Sequence, residues 1–110
     1  MRKPIIALAA SCLLLAACAK PLPPDKAAYV GEWDGPTMTL LITPGGSVVY
    51  KHAEGNSSTS INAPLKAFVG NDFVVGVGPV NTTFKVSAPP HQDQGQWKMT
   101  VDGVELTRKP

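Results

Sequence analysis

From Tyr29 onward, apolar and polar side chains alternate with a period of two, the signature of strands with one face buried. Thr37 to Thr43 places Met38, Leu40 and Ile42 on one face, and Pro44-Gly45-Gly46 turns the chain into a return strand, Ser47 to Ala53. A polar loop is predicted over Glu54 to Ser58. Ser60 to Val69 follows, broken at Pro64 into a short edge piece and a strand from Leu65. After a Gly70-Asn71-Asp72 turn, Phe73, Val75 and Val77 alternate with Val74 and Gly76. Gly78 to Asn81 turns again, and Thr82 to Ser87 presents Phe84 and Val86. Trp97, Met99 and Val101 alternate with Lys98 and Thr100. Asp102-Gly103 is a type I′ hairpin signal, because both central positions of that turn want positive φ, and Val104 and Leu106 follow it. No stretch of ten residues here is free of glycine, proline or clustered turn residues, so a helix of ordinary length has no room. The pattern predicts an all-β domain, a small antiparallel barrel or sandwich of seven to eight short strands.

The N-terminal part has a different pattern. Arg2 and Lys3 precede Ile5 to Ala17, which is apolar apart from Ser11. That run is too short to cross roughly 30 Å of hydrocarbon as a helix and has the layout of a secretory signal. It ends in Leu15-Ala16-Ala17-Cys18, which resembles the lipobox of bacterial lipoproteins. The resemblance implies a diacylglyceryl thioether on Cys18, cleavage just before it and acylation of the new amine. With each buried methylene contributing about 0.8 kcal/mol, two or three acyl chains hold a protein at a membrane where one does so only marginally. The expected organisation is a signal peptide over 1–17, a lipidated cysteine and proline-rich tether over 18–28, and a β domain over 29–110. Pro21, Pro23 and Pro24 favour an extended, polyproline-like tether. Ala19 follows the anchor, where an aspartate often signals retention at the inner membrane. The expected location is therefore the outer membrane, with the domain facing the periplasm.

Charge changes the picture little. Ten Lys and Arg less Arg2 and Lys3 leave eight, against eight Asp and Glu, so the part after the signal is formally neutral. Without a basic patch interleaved with aromatics, a nucleic-acid partner is not expected. Cys12 would leave with the signal and Cys18 would carry lipid, so the domain folds without a disulfide. His52, His91 and Asp93 are ligand types for zinc or copper, but they share no fixed spacing, and neither a metal site nor a cofactor is expected. Ser57, Ser58 and Ser60 lack the strand-turn-helix context of a nucleophile, and no enzyme activity is expected.

Two features carry candidate function. Gly31-Glu32-Trp33 just before the first strand, with Arg108 at the end of the last, resembles the lipocalin-like pattern. In that family the tryptophan closes one barrel end and a late arginine packs across its ring, a cation–π pair. The resemblance implies Arg108 on Trp33 and a ligand-binding barrel. Size, anchor and strand count are also similar to the small periplasmic lysozyme inhibitors of bacteria, but their paired cysteines and Ser-Gly loop motif are absent. The second feature is Ala88 to Gln96, the longest predicted connection. Pro89 and Pro90 stiffen its start, and His91, Gln92, Asp93 and Gln94 offer donors and acceptors, which makes it the candidate partner-binding loop. The expected function is a protein-interaction module of the envelope, held at the membrane by lipid on Cys18. The alternative is a lipocalin-like binder of a small apolar ligand.

Overall fold

The computed structural model describes residues 21–110, so the segment expected to be a signal peptide, the lipobox-like stretch and Cys18 lie outside the described residues. Nine strands follow a 3₁₀ helix over Pro24–Tyr29: β1 Gly31–Asp34, β2 Met38–Ile42, β3 Ser47–Glu54, β4 Ser57–Val69, β5 Asp72–Val77, β6 Val80–Phe84, β7 Val86–Asp93, β8 Gln96–Val101 and β9 Val104–Arg108. All pair antiparallel in one curled, half-barrel sheet of order β6-β5-β4-β3-β2-β1-β9-β8-β7. The prediction of seven to eight strands falls short by β1 and by β7, which Lys85 divides from β6 and whose residues from Ala88 onward the pattern reads as a loop.

That division explains how the sheet curls. Alternating directions along the order make β6 and β7 point the same way, and only Lys85 separates them in the chain. They form one bent strand whose first part pairs with β5 and whose second part pairs with β8. The bend is pinned by carboxylates. Lys85 N–H donates to Asp102 Oδ1 at 2.9 Å and Val86 N–H to Asp72 Oδ1 at 2.7 Å. β4 does the same at the other corner. Ser57 to Pro64 pair with β3, and from Leu65 onward the strand pairs with β5, with a bulge between Leu65 and Ala67. Strands that switch sheets through bends and bulges are how small β domains turn corners. Pro64 therefore sits inside a continuous strand rather than ending one. At this switch point Leu65 N–H donates to Gly46 O at 2.7 Å.

Cross-strand register builds the core. Ile42, Val48 and Ala63 form one inward row and Leu40, Tyr50 and Ile61 the next, while the following row runs from buried Met38 through half-buried His52 to exposed Thr59. The interior is filled by Trp33, Leu40, Ile42, Val48, Phe73, Val75, Phe84, Met99, Val101 and Leu106, all fully buried. Phe73 stacks on Phe84 with ring centroids 5.0 Å apart, and Tyr50 meets Phe84 edge-on at 4.9 Å. Such aromatic pairs add about 0.5–1.5 kcal/mol beyond the area they bury.

The proline-rich segment departs from the extended tether expected over 18–28. Proline is favoured in a first helical turn, where its missing N–H would have no partner, and Pro24 begins the 3₁₀ helix. Leu22 packs against the core, and Tyr29 Oη donates to Asn71 O at 2.9 Å. The folded unit thus reaches back to Leu22.

Candidate functional site

Two sequence features meet in one cross-strand row. Trp33 on β1 lies opposite Leu40 on β2 and Arg108 on β9. The Lys98–Thr107 pairing carries Trp97 on β8 alongside Arg108, and Gln92 on β7 lies opposite Trp97. The Arg108 guanidinium carbon is 5.7 Å from the Trp33 ring centroid and 4.9 Å from that of Trp97. The structure thus brings Trp33 and Arg108 together and adds Trp97, which the alternation placed on a strand without assigning it to this cluster. Trp33 is fully buried, and its Nε1–H donates to Tyr29 O at 2.9 Å. Gly31 is required by this packing, because a Cβ there would lie 2.6 Å from Arg108 Cδ. An open hollow of about 330 Å³ borders the cluster, walled by Trp97, Arg108, Gln96 and Gly95.

The arrangement predicts that Arg108→Ala costs about 1–2 kcal/mol of stability, the range of a partly desolvated cation–π contact. Urea titration followed by tryptophan fluorescence measures it. An unchanged midpoint would show that the contact contributes nothing.

The segment Ala88 to Gln96 is not a long loop. β7 runs through it to Asp93, and Gln94-Gly95 makes a two-residue turn into β8. Gln94 and Gly95 have φ of +55° and +81°, the type I′ pattern. Glutamine is an uncommon residue at that position, which hid the turn in the sequence. Pro89 and Pro90 disguised the strand, yet they cost little because β7 is an edge and has register shifts between Val86, Ala88 and His91. His91, Gln92, Asp93 and Gln94 are all exposed at this hairpin end. His91 Nδ1 lies 2.8 Å from Pro89 O.

His52 sits elsewhere, on β3 with Thr59 opposite it, beside a second open hollow of about 470 Å³. The turn residues Gly35 to Thr37 and the edge residues Ser58 to Ser60 complete the walls of that hollow. Among the described residues, no group of three His, Cys, Asp or Glu could hold a metal. No described helix is long and apolar enough to cross a membrane.

The titrating groups near these surfaces share one sign. Burial, then the Asp72 charge, raises the Tyr29 phenol above 10.0, and burial, then Asp102 and Glu54, raises Tyr50. Lys109, exposed, is raised above 10.5 chiefly by its hydrogen bond to Glu32 at 2.7 Å. In each case the folded state holds its proton more tightly than the unfolded chain does. The linked stability is present below the unfolded values and is lost as pH rises through the folded ones. Urea midpoints should accordingly hold steady up to about pH 9 and fall above pH 10. A midpoint constant to pH 11.5 would refute this.

Comparison with protein-family models, with curated proteins and with solved structures found no match for this chain.

Proposed function

We propose that this chain is a bacterial envelope lipoprotein, anchored to the outer membrane by lipid on Cys18, whose β domain is a protein-interaction module in the periplasm. The observation that carries the binding-module reading is the filled interior. Trp33, Leu40, Phe73, Phe84 and Met99 occupy the space that a lipocalin-like ligand would need, so recognition falls to the outer surface. Small barrels packed by their own side chains leave no calyx. The exposed end of the β7–β8 hairpin, His91 to Gln94, offers amide and imidazole groups and the Asp93 carboxylate on strand-paired backbone, which lowers the ordering cost of binding.

The anchor rests on the positive start, the apolar run and the lipobox together. With the folded unit reaching back to Leu22, an anchor at Cys18 holds the domain close against the headgroups rather than on a long leash.

Radiolabelled palmitate should enter the wild-type chain and be absent from Cys18→Ser. Equal label in both would end the lipoprotein reading. A photo-cross-linker placed at Gln92 in intact cells should capture one envelope protein. Capture of nothing, or of many proteins in equal yield, would remove the interaction module.

A further inference from the structure

The open ends of the sheet are not alike. β7 has Pro89 and Pro90 and two register shifts, devices that stop a further strand from adding. β6 is short and runs at once into β7. The first half of β4 is different. From Ser57 to Ala63 it pairs with β3 in unbroken register, without bulge, proline or charge. Its other edge has no ladder partner among the described residues, and Ser57, Ser58, Thr59, Ser60 and Asn62 are exposed. Gly55 at φ +58° opens a two-residue turn that closes on Glu54 and Ser57. In such a hairpin alternate pairs exchange hydrogen bonds, so Ser58, Ser60 and Asn62 turn their N–H and C=O groups outward.

We propose that this edge pairs antiparallel with the same edge of a second copy of this chain. The register that joins outward-facing residues sets Ser60 against its own counterpart and Ser58 against Asn62 of the second copy. No like charges meet across the seam, and each copy brings an edge of identical length and twist. The pairing is isologous and closes at two copies, because the guarded β7 edge cannot continue it. Antiparallel partners point to one face, so Thr59 also gains the second copy's Ile61 beside it. That side chain extends the wall of the 470 Å³ hollow at His52 and Thr59. The inference goes beyond the proposed function and depends on neither the anchor nor a foreign partner.

The full-length chain in its own membranes provides the test. Under mild oxidation, Ser60→Cys should give a reducible band at twice the chain mass, above the background of the unsubstituted chain. Thr83→Cys, exposed on β6, should not. In density-matched detergent the wild-type chain should sediment as two copies. Ser60→Lys, which sets two lysines against each other on a solvent-exposed edge, should sediment as one, with an unchanged far-UV spectrum. A missing Ser60→Cys dimer, equal dimer from Thr83→Cys, or a wild-type chain that sediments as one copy would each overturn the proposal. So would an adduct of Ser60→Cys with a chain of different mass, which would assign the edge to another protein.

Discussion

Trp33→Ala is expected to remove about 3–5 kcal/mol, a large share of the domain's stability, and to shift its urea midpoint sharply down. The indole is fully buried, donates its N–H to Tyr29 O, and forms the floor on which Arg108 lies. Its removal opens a cavity at the one place where the first and last strands meet. Truncating a buried tryptophan costs about 3–5 kcal/mol. At roughly 0.05–0.15 kcal/mol per residue, the described domain has a total of about 5–13 kcal/mol to lose. Trp33→Phe keeps most of the packing but leaves the Tyr29 carbonyl without its donor, and a loss of about 1–3 kcal/mol follows. Urea titrations by far-UV circular dichroism would rank the three chains. A Trp33→Ala midpoint equal to wild type would overturn the placement of this residue at the centre of the fold.

Gly76→Ala should be nearly as damaging, although it adds a single methyl. A Cβ at this position would lie 2.1 Å from Val80 O and 2.9 Å from Asn81 Cα, both backbone atoms of the paired strand β6. Neither can retreat easily. Gly76 pairs with Asn81, and Lys66 Nζ donates to Gly78 O at 2.7 Å and to Asn81 Oδ1 at 2.9 Å. Relief requires β5 and β6 to part, which would also separate Phe73 from Phe84. The cost should reach or exceed the roughly 1–3 kcal/mol typical of overpacking. Gly45→Ala is the control, since nothing lies within 4 Å of its added methyl. Equal midpoints for the two variants would show that the hairpin yields where the geometry says it is rigid.

The strands were legible where alternation was unbroken. Met38 to Ile42, Phe73 to Val77, Trp97 to Val101 and the Asp102-Gly103 turn all lie where period and turn chemistry put them. The structure departs from the pattern where position in the sheet overrides a local rule. Pro64, Pro89 and Pro90 break strands in general, but each occurs at a switch point or an edge where no ladder N–H is needed. The polar composition of Glu54 to Ser58 predicts a loop, yet the two strands run closer and leave only Gly55-Asn56 to turn. Of the candidate site, the Trp33–Arg108 contact was visible only through a family resemblance. No local pattern in the sequence places Trp97 on the same guanidinium, because that contact depends on the register between β8 and β9.

The pairing of β1 with β9 also sets how this chain can fold. Every other strand pairs with its neighbour in sequence, across a turn that closes quickly. β1 must wait for Thr107 and Arg108, at the far end of the described chain, before its second edge is satisfied. Closing so long a loop costs entropy before any contact repays it, so folding should be slow for a domain of this size. A chain whose last strand has not yet emerged lacks the partner of its first. If it is exported, it stays threadable until almost all of it has crossed.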